Sequence, residues 1–156
     1  MFFLKHNRIV IVCKSLESIT SINLFQKITM NTNIKILLID DEPDILEFLS
    51  YNFRKSGFTL VTANNGIEGI RQATLEQPQL IISDILMPLM DGIEMCKTLR
   101  KMEAFYRIPF IFLTAVSDDY KVLYAMTSGA DQFISKPIRY EYLLSMVNQL
   151  MEEKAA

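Results

Sequence analysis

Four short apolar runs in this chain each end on residues that can do chemistry. The run 34–39 is followed by the acidic pair Asp40 and Asp41, 80–83 by Asp84, 110–113 by Thr114 and 132–135 by Lys136. Any one of these, alone, reads as turn chemistry, a helix N-cap or plain surface. Four polar run-ends together read differently, because random turn usage would also have supplied Gly, Ser or Asn. Three clustered carboxylates repel one another and favour a divalent cation, and oxygen ligands alone suit Mg²⁺ or Mn²⁺. A carboxylate partly offset by metal and ammonium stays ionised and can attack phosphorus, giving an acyl phosphate. Phosphoryl transfer needs positioning and charge neutralisation, which a metal, a lysine and a hydroxyl supply.

Such residues meet only if the elements between them bring the run-ends to one edge. The run IKILLI at 34–39 is almost continuously apolar, the mark of a strand buried on both faces. Beyond the acidic cluster Asp40, Asp41, Glu42 and Pro43, the positions Ile45, Leu46, Leu49 and Phe53 mark an amphipathic helix closed by Gly57. A second strand is expected at 58–63. Asn65-Gly66 then turns into a helix carrying Ile67, Ile70 and Ala73 that ends before Pro78. Strands are expected at 80–83, 110–113 and 132–135, and helices at 93–102, about 118–128 and 140–152, the last with Leu143, Leu144, Val147 and Leu150 inward. Gly92 is expected to give the preceding turn a positive φ, and Asp91 to be a turn or N-cap residue and not a metal ligand. Five strands alternating with five helices make an α/β sandwich around a parallel sheet, whose ligand sites lie beyond the carboxyl ends of the strands.

At 156 residues the chain is long enough for one domain with a real core. Sixteen Lys and Arg against 18 Asp and Glu leave a net charge of −2, with no basic surplus for wrapping nucleic acid. Cys13 and Cys96 are too few for a disulfide framework or a Cys-built zinc site, which points to a reducing, cytoplasmic setting. The single histidine, His6, excludes mechanisms that need two. Charge is uneven: residues 1–29 carry Lys5, Arg8, Lys14 and Lys27 against Glu17, a surplus of +3. Their apolar pieces are too short and interrupted for a bilayer span or a secretory signal. Residues 1–33 are therefore expected to be an N-terminal extension, disordered or upstream of a true start at Met30, and 34–153 the folded domain.

The segments IKILLIDDEPDIL, LIISDILMPLMDG, IPFIFLTA and GADQFISKP resemble the receiver domain of bacterial two-component response regulators, the stand-alone chemotaxis type included. The spacings agree too: 30 residues from Asp84 to Thr114 and 22 from Thr114 to Lys136. This resemblance implies a flavodoxin-like (βα)5 three-layer sandwich with a five-stranded parallel sheet of order 2-1-3-4-5. It implies that Asp84 is the phosphoacceptor. Mg²⁺ (Mn²⁺ as a substitute) would be held by Asp41, Asp84 and the backbone carbonyl of Leu86, with Asp40 acting through water. Lys136, aimed by a cis bond to Pro137, would pair with Asp84 and then with a phosphoryl oxygen. Thr114 and Phe133 would be the responding pair.

The resemblance also implies the partners. The donor would be a sensor histidine kinase or a His-containing phosphotransfer protein. The target would be a protein on the face of the fourth helix, fifth strand and fifth helix, where Tyr120, Tyr124, Tyr140 and Tyr142 are expected. The protein would be a monomer or a phosphorylation-dependent dimer, with no direct contact to nucleic acid or membrane, catalysing only its own phosphorylation and dephosphorylation. Two other readings stand beside it. One is the receiver of a longer DNA-binding regulator. The other is a haloacid-dehalogenase-like phosphatase, opposed by Leu86 where a second acid belongs and by a nucleophile that follows the third strand.

Overall fold

Strands that are apolar on both sides need cover on both sides, and the helices supply it. The computed structural model describes residues 34–115 and 124–155. Its strands are β1 (Lys35–Ile39), β2 (Thr59–Ala63), β3 (Leu80–Asp84), β4 (Phe110–Thr114) and β5 (Gln132–Ser135). Its helices are α1 (Pro43–Lys55), α2 (Gly66–Glu76), α3 (Gly92–Arg100) and α4 (Tyr140–Ala155). The sheet is parallel with order β2-β1-β3-β4-β5, as the resemblance implied. Alternation along β1 divides the core. Ile36 and Leu38 join Leu49 and Phe53 of α1 and Leu143 and Val147 of α4. Leu37 and Ile39 join Ala73 of α2 and Met95, Cys96 and Leu99 of α3 on the other face.

Local signals place the helix ends. Pro43 opens α1, where a missing N–H costs nothing, and Arg54 and Lys55 sit in its last turn. Asn65 caps α2 by accepting from Glu68 N at 2.9 Å, and Asp91 caps α3 by accepting from Glu94 N at 2.8 Å. Asp91 is thus the N-cap residue expected. Of the predicted helix at 118–128, residues 124–126 are helical and 116–123 lie outside the described residues, as do Tyr120, His6, Cys13 and the whole extension 1–33.

Three expectations need correction. The ladders run one residue further than the apolar runs, so Asp84 and Thr114 are the last residues of β3 and β4, with Asp84 paired to Leu113 and Thr114 to Ser135. Gly92 does not have a positive φ; the positive-φ residue in that loop is Leu89, at φ 70. Gly92 is needed for space: a Cβ there would collide with the backbone carbonyl of Asp84 and lie 3.0 Å from Phe112 and 3.1 Å from Ser83 Oγ. Tyr140 does not face outward. Its ring packs edge-on against Phe53 at 5.1 Å, and its hydroxyl donates to Asn52 O at 3.0 Å and shares a hydrogen bond with Ser56 Oγ at 2.7 Å, tying α4 to α1.

At the amino ends of β4 and β5, Arg100 serves four oxygens. Nε donates to Gly129 O, Nη1 to Phe105 O and Ile108 O, and Nη2 to Asp131 Oδ2. The same Asp131 oxygen accepts from Phe110 N at 2.8 Å. On α1, Ser50 Oγ is buried without a hydrogen-bond partner among the described residues. Ser50→Ala is therefore expected to stabilise the protein by about 1 kcal/mol, through relieved desolvation and better helix propensity. Chemical denaturation reads this directly, and a loss of stability would refute it.

Candidate functional site

Asp40 follows β1, whose residues 36–39 are fully buried inside the sheet, and Asp40 itself has no exposed surface. Asp84 ends the neighbouring strand β3 and is 6% exposed. Asp41, next along the chain, points to solvent. Carboxylate oxygens of Asp40, Asp41 and Asp84 all lie within 4.8 Å of one another. Lys136 follows β5 after a parallel bond from its own N–H to Thr114 O at 2.8 Å. The Lys136–Pro137 peptide bond is cis.

The two buried carboxylates are held alike. Asp40 Oδ1 accepts from Glu42 N at 2.9 Å, and its Oδ2 from Lys136 Nζ at 3.1 Å. Asp84 Oδ1 accepts from Ile85 N at 2.7 Å, and its Oδ2 lies 3.5 Å from Lys136 Nζ. Each therefore has one oxygen on a backbone N–H and one toward the ammonium. Glu42, a residue without an assigned role in the sequence reading, makes the shortest contact to Lys136, at 2.8 Å. Its place in a run of turn-forming acids hid it, since exposed acids at a helix start are ordinary.

The electrostatics follow from burial. Desolvation raises the carboxyl of Asp40 above the usual aspartate value, against the hydrogen bonds from Glu42 N and Lys136. Desolvation likewise raises Asp84, against the pull of Lys136 and with the repulsion of Asp40. Burial opposes the charge on Lys136, yet its hydrogen bonds to Glu42 and Asp40 and the field of Asp84 prevail and raise it. One ammonium thus stands among an excess of carboxylates, two of them stripped of water. That donor set, all oxygen and short of positive charge, fits a divalent cation such as Mg²⁺.

Among the other expected residues, Thr114 is buried at the end of β4 and Phe133 is half-buried in β5, its ring 5.6 Å from that of Phe112. Leu86 lies two residues past Asp84 and is 50% exposed. Its loop is closed by Gly92 N donating to Ile85 O at 2.8 Å and pinned to α2 by Gly66 N donating to Met90 O at 3.0 Å. Tyr124 is exposed with Lys97 Nζ over its ring at 3.8 Å, and Tyr142 is exposed on α4. Among the described residues no helix is long and apolar enough to cross a membrane.

Comparison with known proteins agrees with this geometry. The family model of the response regulator receiver domain matches residues 36–148. The chain is 39% identical over 105 residues to the alkaline phosphatase synthesis transcriptional regulatory protein PhoP of Bacillus subtilis, covering 67% of this chain and 43% of that protein. It is 36% identical over 117 residues to the DNA-binding dual master transcriptional regulator RpaA of a Synechocystis species, covering 75% of this chain and 48% of that one. The match thus spans under half the length of either relative. Among solved structures, the receiver domain of a signal transduction histidine kinase from Syntrophus aciditrophicus superposes with a TM-score of 0.73 at 38% identity, covering 76% of this chain and 90% of that one. The chemotaxis response regulator CheY4 of Vibrio cholerae gives 0.72 at 29% identity, covering 76% and 99%.

Proposed function

The chain belongs to the response regulator receiver domain family, and on that premise we propose that it is a phosphorylation-dependent signalling switch whose phosphoacceptor is Asp84. The observation that carries this reading is the meeting of Asp84 with Asp40, Asp41 and Lys136 at one sheet edge. Receiver domains are signalling domains and not classical enzymes, so the chemistry is a single transfer. An oxygen of the Asp84 carboxylate bonds to phosphorus while the P–N bond of a donor phosphohistidine breaks. The leaving imidazole keeps the electron pair.

Asp41, Asp84 and the Leu86 carbonyl would hold Mg²⁺, with Asp40 acting through water. When bound, the cation neutralises charge on the transferred group. Lys136 moves its pairing from Asp84 to a phosphoryl oxygen. Thr114, on the neighbouring strand, donates its hydroxyl to another, and Phe133 moves into the space so vacated. The change is read on the face of β5, α4 and the segment before Gly129, where Tyr124 and Tyr142 are exposed. Its donor is a sensor histidine kinase or a His-containing phosphotransfer protein in the cytoplasm. The protein acts as a monomer or dimerises on phosphorylation. A second reading, the receiver of a longer transcription regulator, is favoured by the names and lengths of the Bacillus and Synechocystis relatives.

Incubation with acetyl phosphate and Mg²⁺ is expected to add one phosphoryl group, a mass gain of roughly 80 Da. Chelating the metal is expected to prevent it. A folded protein that gains no mass with Mg²⁺ present would refute the proposal.

A further inference from the structure

Lys136 Nζ has three hydrogens to give and three carboxylates around it. The contacts rank Glu42 at 2.8 Å, Asp40 at 3.1 Å and Asp84 at 3.5 Å. The residue expected to work with Lys136 thus has the longest contact, and an acid outside the implied metal set has the shortest. Glu42 stands at the N-cap of α1, yet its side chain makes no capping hydrogen bond. Its backbone is held on both sides, by Glu42 N donating to Asp40 Oδ1 and by Leu46 N donating to Glu42 O. Its side chain is 60% exposed whereas that of Lys136 is 13% exposed. A fixed backbone therefore aims a solvent-facing carboxylate at a largely buried ammonium.

We infer that Glu42 is a positioning residue that restrains phosphoryl uptake by holding Lys136 away from Asp84. The inference rests on the receiver reading given above. As the bond from Asp84 to phosphorus forms and the donor's bond breaks, Lys136 must pass from a carboxylate to a phosphoryl oxygen. Glu42 is the competitor at the mouth of the site, and an ion pair with one exposed partner is weak enough to be exchanged. Removing it leaves Lys136 to Asp40 and Asp84. The fold loses little, because the N-cap makes no side-chain bond.

The test is the initial rate of phosphoryl uptake from acetyl phosphate, with acetate as leaving group, at saturating Mg²⁺, read by intact mass. Glu42→Ala is expected to take up phosphoryl about three- to five-fold faster than wild type, the range a half-exposed ion pair supplies. Glu42→Gln, which keeps an acceptor without charge, should fall between them. Asp44→Asn removes an exposed acid in the first turn of α1 and should match wild type. Melting temperatures should stay together across the set, which separates positioning from a structural role. An equal gain in Asp44→Asn overturns the inference in favour of bulk charge repulsion of the donor. An unchanged or slower rate in Glu42→Ala beside an active wild type overturns it while leaving the receiver reading intact. A wild-type protein that takes up nothing overturns both.

Discussion

Asp84→Asn is expected to take up no phosphoryl group and to melt higher than the wild type. Loss of uptake follows from chemistry: an amide oxygen is no nucleophile toward phosphorus, and Asp40 cannot replace it, being wholly buried and held at both oxygens. The gain in stability follows from burial. Desolvation raises the Asp84 carboxyl, with Asp40 adding repulsion, so above that raised value the ionised form costs the folded state free energy. Asn keeps an acceptor for Ile85 N and removes the charge. Relief on the order of 1 kcal/mol corresponds to roughly 3–5 °C for a domain of this size. The sign is checkable by pH. A carboxyl whose value is raised on folding contributes stability at low pH that is lost as pH rises through the folded value. The variant's advantage should accordingly shrink on acidification. Mg²⁺ should raise the melting temperature of the wild type and act far less on Asp84→Asn, which lacks one ligand charge. A variant that still gains mass, or that melts below wild type at neutral pH, would contradict this account.

Gly92→Ala is expected to cost about 2–4 kcal/mol, a fall of roughly 10 °C in melting temperature. The added methyl has nowhere to go. It meets the Asp84 carbonyl, the Phe112 ring and Ser83 Oγ, which itself donates to Asp84 O at 2.7 Å. None of these is the free end of a flexible side chain: one is backbone, one is core, and one is a buried hydroxyl. Relief requires α3 to retreat from β3, which breaks the bond from Gly92 N to Ile85 O and displaces Asp84 itself. Reduced phosphoryl uptake should accompany the loss of stability. A Gly92→Ala protein melting within about 2 °C of wild type would refute this account of the close approach.

The sheet and most of the candidate site were legible because buried parallel strands carry little but aliphatic residues. A polar residue at the end of each run therefore stands out, and alternation with helices sends those ends to one edge. Asp84, Thr114 and Lys136 were singled out as candidates this way. What stayed hidden depends on distances between remote parts of the chain. Gly92 announced that a side chain was forbidden but not whether backbone angle or space forbade it. Tyr140 sits on an amphipathic helix whose pattern suits an outward tyrosine as well as one turned to α1. Arg100 gathers carbonyls up to 29 residues away, and no periodicity signals that. Glu42 was visible as an acid, but its partner 94 residues on was not.

The strand that Asp40 follows, β1, and the strand that ends in Asp84, β3, are adjacent interior strands of the sheet, each hydrogen-bonded to a neighbour on both edges. Their inner residues are at most 1% exposed. Amides in such strands are expected to exchange with solvent mainly through global opening of the domain. The acid cluster is therefore anchored in the last part of the molecule to come apart. Phosphoryl transfer at this edge, as proposed, would not require local melting, and the acidic pocket is expected to last as long as the fold.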